Sequence, residues 1–182
     1  MSGKLTLISS ASPSGVASVE FTSGIDSTYD EYVFYWVNVH FSLNAKSLHM
    51  NASTDGGSSY GVVATNNVFE SEHQEDDSNA QVAYMSGYDQ AQASSPDLYL
   101  TREVKSDNDS STSGELHLFN PSSTSKVKHW ISTGFVGPTS ADRASTFYAA
   151  GFYNTTSAID AIKFVPSSGN IDAGNIYLFG VS

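Results

Sequence analysis

The chain contains no cysteine, so disulfides, thiolate nucleophiles and thiolate metal sites are excluded, and stability must come from packing. Positive charge is scarce: Lys plus Arg is 8 against 19 for Asp plus Glu, a net charge of −11. That balance repels phosphate backbones and anionic lipid surfaces, so no nucleic acid is expected as a partner. No run approaches the roughly 18 consecutive apolar residues of a membrane helix, so no membrane insertion is expected. The opening MSGKLTLISS also lacks the apolar stretch of about 7 to 15 residues that a secretory signal needs. Synthesis and folding in a cytoplasm are therefore expected, and the sequons at Asn51, Asn108 and Asn154 are taken as chance in a Ser- and Asn-rich chain. Helical periodicity is missing as well.

What fills the chain instead is alternation, the period of a strand whose side chains point to opposite faces. In YDEYVFYWVNVHF, Val33, Tyr35, Val37, Val39 and Phe41 form one row and Tyr32, Phe34, Trp36, Asn38 and His40 the other. Both rows are apolar at first, which predicts a central strand covered on each face. Shorter strands are predicted at KLTLIS, ASVEF, KSLHM, LYLTREV, GELHLFN, KVKHWIS, TFYAAGFY, IDAIKFV and GNIYLFGV, separated by clusters such as SPSG, STDGGSSYG, SDNDSSTSG and VGPTS. Many short strands at near-regular spacing predict one all-β domain over 1–182, an antiparallel β-sandwich of jelly-roll type. Residues 66–96, polar and acidic, break the rhythm and are expected to form a long loop with at most a short strand at QVAYM. The last strand, with Ile176 and Leu178 alternating against Tyr177 and Phe179, is expected to complete the core.

The residue patterns that could carry chemistry all have simpler structural readings. Gly57, Ser58, Ser59, Tyr60 and Gly61 spell G-x-S-x-G, but VVATNN follows where a nucleophile elbow needs a helix, so a glycine-rich hairpin turn is expected. His40, His49, His73, His117 and His129 stand at no metal-site spacing, and His117 and His129 fall in predicted strands as packed or surface residues. Two acidic clusters have the oxygen chemistry of Ca²⁺, one with Glu70, Glu72, Glu75, Asp76 and Asp77, the other with Asp107, Asp109, Ser111 and Glu115. The second has Thr112 where an EF-hand loop needs glycine and Leu118 where it needs the bidentate Glu, and both are taken as solvated loops. Trp36 and Trp130 sit among apolar neighbours and are expected in the core. No cofactor, metal site or catalytic residue is assigned, and no enzyme is expected.

Four stretches, VEFTSGIDSTYDEYVFYWVNV, STDGGSSY, SGELHLFNPSS and IDAIKFVPSSGNIDAGNIYLFGV, resemble the recurrent pattern of small accessory virion proteins of tailed bacteriophages, the marine and cyanophage kind in particular. In physical terms, Gly24 serves a turn, Ile25 and Tyr29 plug a sandwich end, and Gly169 and Gly174 bracket a short reversal. The resemblance implies a β-sandwich, a location in the virion, and a structural role as capsid decoration or head or tail fibre module. The partners it implies are the major capsid or tail protein and further copies of the chain, as a homo-oligomer with a trimer favoured. The alternative is a carbohydrate-binding receptor module engaging host surface glycans, with Tyr84, Tyr88 and Asp89 as the contacts.

Overall fold

The alternating segments assemble into two antiparallel sheets in the computed structural model, which describes residues 3–94 and 97–182. In chain order the strands are β1 (Leu5–Ala11), β2 (Val19–Phe21), β3 (Glu31–Phe41), β4 (Leu48–Ser53), β5 (Ala64–Gln74), β6 (Ala80–Tyr84), β7 (Gln90–Ala93), β8 (Leu98–Tyr99), β9 (Ser111–Phe119), β10 (Lys128–Gly137), β11 (Arg143–Tyr153), β12 (Ala161–Pro166) and β13 (Ile171–Val181). No helix occurs among the described residues. The larger sheet runs β1-β13-β3-β9-β10-β11-β5-β6, with β7 pairing the far end of β5, and the smaller runs β2-β12-β4-β8. The expected antiparallel sandwich is what forms.

The chain changes sheets at β1 to β2, β2 to β3, β3 to β4, β4 to β5, β7 to β8, β8 to β9, β11 to β12 and β12 to β13, so many neighbours in sequence lie in opposite sheets. Strands β10, β11, β5, β6 and β7 extend only the larger sheet. Phe34 from β3 meets Phe21 from β2 and Phe164 from β12 edge-on, with ring centroids 5.4 and 5.3 Å away, the geometry that aligns positive ring edges with negative faces.

The inward row of β3 is not constant. Tyr32, Phe34 and Trp36 are buried, then the register skips between Trp36 and Val39, Asn38 takes φ 51°, and Val39 and Phe41 become the buried residues. This β-bulge inserts one residue and exchanges the faces, so the single-row reading is corrected. Gly174 in β13 lies opposite at φ 103°, and a Cβ there would come 2.6 Å from the Asn38 carbonyl oxygen. It therefore serves a bulge inside β13 and not the reversal expected of it, which falls to Gly169 at φ 76°.

Residues 66–96 are also corrected: most of β5 and all of β6 and β7 lie there, while Ser95 and Pro96 are outside the described residues. The inward positions of β5 include Asn66, Glu70 and Glu72, all buried, so the alternation is present but its inner face is polar. STDGGSSY carries the chain from one sheet to the other and is not a hairpin. Hydrogen bonds from Ser53 Oγ (2.7 Å), Ser59 Oγ (2.7 Å) and the Ser59 amide (2.9 Å) hold this crossing and lower the Asp55 pKa to about 2.

Trp36 needs space that only glycine leaves. Gly114 and Gly134 are cross-strand partners, and a Cβ on Gly114 would lie 2.3 Å from the Thr133 carbonyl oxygen and 2.4 Å from the indole ring. The indole Nε1 donates to Thr112 Oγ1 at 3.1 Å, and that hydroxyl donates to the Phe135 carbonyl at 2.9 Å, so the buried polar atoms are satisfied. Gly114→Ala is expected to destabilise the protein by about 1 to 3 kcal/mol, as overpacking against unyielding backbone does, read as a lower midpoint in urea with an unchanged slope.

His49 on β4 packs on Tyr99 with centroids 4.1 Å apart, and its Nε2 is buried without a partner. Burial pushes its pKa down to about 4, although Asp97 at 3.9 Å acts in the opposite direction. Because the folded state holds the ring neutral, the unfolded chain binds more protons between about pH 6.5 and 4. Stability should therefore fall on acidification through that window, by roughly 3 kcal/mol at most. Denaturant midpoints measured across it should show this slope, and His49→Gln should remove that part of it.

Candidate functional site

The face of the larger sheet turned away from the smaller one lies open. From cross-strand partner to cross-strand partner, one row runs Leu7, Phe179, Val33, His117, Ile131, Ala150 and Asn67. The next runs Ser10, Tyr177, Tyr35, Glu115, Thr133, Tyr148, Phe69 and Tyr84. Five aromatic residues thus share one register line across the sheet. Ile131 is 52% exposed, Phe135 48%, Phe69 42% and Val82 70%, so this face meets solvent with apolar side chains. Glu115 is the sole carboxylate in the two rows and lies 3.6 Å from His117 Nε2, while Glu31, just beyond the first row, meets His117 Nδ1 at 2.5 Å.

The rings pack on one another. Phe69 and Tyr148 stack with centroids 4.7 Å apart and planes 14° apart, close to the strand spacing, and Tyr35 meets Phe179 edge-on at 5.7 Å. Cross-strand rings stacked at that distance stand on end, giving their faces to each other and their edges to solvent. Two shallow depressions lie between them. One, of about 400 Å³, is bordered by Tyr35, Val37 and Phe135, and the other, of about 220 Å³, by Phe69, Ile131 and Tyr148.

Of the residues expected at a glycan site, Tyr84 and Asp89 come together: Tyr84 is 60% exposed at the free edge on β6, and its hydroxyl donates to Asp89 Oδ2 at 2.5 Å. Tyr88 goes elsewhere. Its ring packs edge-on against Tyr99 (4.7 Å) and Phe147 (5.7 Å), with the Arg102 guanidinium 5.5 Å above it. It anchors the turn between β6 and β7 to the core and offers no free face.

An ion network supports that edge from below. Arg102 binds Glu70 through Nε (2.9 Å) and Nη2 (2.5 Å) and Glu103 through Nη1 (2.7 Å), while Arg143 binds Glu72 (2.9 Å) and Glu103 (2.5 Å). Ser145 Oγ donates to Glu70, and Gln81 Nε2 donates to Glu72 at 2.6 Å. Burial opposes the charge on Arg102, but the bonds and charge of Glu70 overcome it and raise the guanidinium pKa above its ordinary value. Removing Arg102 would strand the buried Glu70 carboxylate, since Glu72 keeps Arg143. Arg102→Ala is expected to cost about 3 to 5 kcal/mol, measured by chemical denaturation, and to loosen β6 selectively in amide exchange.

The acidic clusters disperse accordingly. Glu70 and Glu72 point inward to arginine, and Glu115 lies on the open face. Asp109 borders a polar cavity of about 740 Å³ beside the paired bulges, together with Asn38, Asn108 and the His40–Asp172 pair, whose nitrogen and oxygen are 2.6 Å apart. Among the described residues no group of three or more His, Asp or Glu is placed to hold a metal ion. No helix among them is long and apolar enough to cross a membrane.

The aligned rows went unseen in the sequence because they depend on pairing register. The local signal was present: aromatic residues stand at solvent-facing positions of β3, β5, β11 and β13.

No family model matches the chain, and the search of curated proteins returns no match. Among solved structures, a Bacteroides ovatus protein described as a structural genomics target of unknown function aligns at 8% identity with a TM-score of 0.30. The alignment covers 63% of this chain and 45% of that one, so this chain spans less than half the length of that protein.

Proposed function

We propose that the chain is a non-enzymatic structural module of a tailed-bacteriophage virion, serving as capsid decoration or as part of a head or tail fibre and docking on the major capsid or tail protein. The observation that carries the assembly role is the open, nearly uncharged aromatic face of the larger sheet. A subunit that remained alone would leave it permanently in water at a free-energy cost, and burial in an assembly removes that cost. The phage context comes from the sequence resemblance. The interleaving of β1, β3, β9 and β13 with β2, β4, β8 and β12 supports a jelly roll at the centre of the sandwich. Docking is non-covalent and needs no cofactor, and a homo-oligomer, a trimer in the first instance, fits a particle-bound module.

The receptor alternative has one feature in its favour, the exposed Tyr84 hydroxyl tied to Asp89. A sugar ring needs an aromatic face to lie on, and Phe69 and Tyr148 spend theirs on each other. Cryo-electron microscopy of virions with and without the gene is expected to show density for the protein on wild-type particles only. A glycan array is expected to show no saturable binding. Binding to one sugar class, lost in Tyr84→Ala, together with particles that never carry the protein in stoichiometric amount, would replace the structural reading with the receptor one.

A further inference from the structure

We infer that the open face of the larger sheet is covered by another copy of this chain. The inference deepens the assembly reading above and rests on it. Three observations favour self-association over other occupants. The first is size: seven strand spacings of about 4.8 Å by three outward rows, about 20 Å deep, give a footprint on the order of 700 Å². A stable interface buries roughly 800 Å² per partner, so a single further copy suffices to cover it.

The second is charge. The chain carries −11, and two copies repel wherever their carboxylates meet. The central rows hold Glu115 and no Lys or Arg, and Glu31 stands at their margin, both carboxylates against His117, so identical acidic chains meet few like charges on this face. A cationic partner would find only these two carboxylates, each already against His117.

The third is relief. Ile131, Phe135 and Phe69 project beside the two depressions, so the face offers both the apolar protrusions and the apolar hollows that a matching surface needs. Docked sheets interdigitate side chains in this way at about 10 Å separation.

The test uses the purified full chain. Sedimentation velocity from 1 to 100 µM is expected to show an oligomer that dissociates on dilution, and added NaCl should tighten it by screening the net charge. Ile131→Lys with Phe135→Lys is expected to raise the dissociation constant at least a hundredfold with an unchanged circular dichroism spectrum, while Leu43→Lys, off the two rows, leaves association intact. Because the double variant could fail to fold, the absence of native cysteine supplies a second readout: in Thr133→Cys, thiol labelling should slow at least tenfold as protein concentration rises, and in Leu43→Cys it should not. A chain that stays monomeric to 100 µM, or concentration-independent labelling at position 133, overturns the inference. A monomer that still decorates virions leaves the assembly reading standing, whereas an oligomer absent from virions refutes that reading alone.

Discussion

A four-stranded layer cannot cover a nine-stranded sheet, and this mismatch governs the molecule. Where the smaller sheet reaches, the interior is aliphatic and aromatic: Phe21, Phe34, Met50, Phe164 and Leu178 are all buried. Beyond β10 the covering layer is the segment after β8, and the inward residues of β5 and β11 change to Glu70, Glu72, Arg143 and Ser145. Arginine and glutamate fill a region that the smaller sheet does not reach. Their side chains reach further than aliphatic ones, and their directional bonds fix the position of Arg102 relative to β5. Such a network adds little net stability compared with a well-packed apolar core, but it makes the placement of the extension depend on every partner at once.

The same sheet must curve over its small lid, and it does so at a few costly backbone positions. The bulges at Asn38 and Gly174 face each other, so two strands bend at one level and the inward row of β3 exchanges faces there. At the adjoining level Gly114 and Gly134 remove two side chains to admit Trp36, letting the largest core residue sit where the strands cross close to Leu100 and Thr101. Curvature and the tryptophan are one arrangement, because the space under the sheet depends on both.

Strands whose inner rows are apolar were legible in the sequence. β13 shows it best, with Ile176 and Leu178 inside and Tyr177 and Phe179 outside as their alternation implies. Trp36 and Trp130 fell in the core for the same reason. β5 escaped because Asn66, Glu70 and Glu72 occupy its buried positions, and no hydropathy pattern separates a carboxylate pointing at a buried arginine from one pointing at water. Tyr88 escaped because Phe147 and Tyr99, its neighbours in space, are far along the chain. Of the open face, each strand revealed its own outward aromatic and none revealed that Tyr35, Tyr148, Phe69 and Tyr84 align, since alignment is a property of register.

That alignment bears on why the protein is acidic. A chain with an uncovered apolar sheet face is at risk of indiscriminate association, and its free edges, β1 and β6, carry neither charge nor proline. Carboxylates concentrated in turns, at Asp55, Asp76, Asp77, Asp107 and Asp109, surround the sandwich with negative charge, while the open face carries only Glu31 and Glu115, both against His117. Random encounters between copies are then repulsive in most orientations, and the orientation that brings the sparsely charged rows together is the least opposed. On the proposed reading, net charge opposes association over most of the surface, and its scarcity on one face favours contact there.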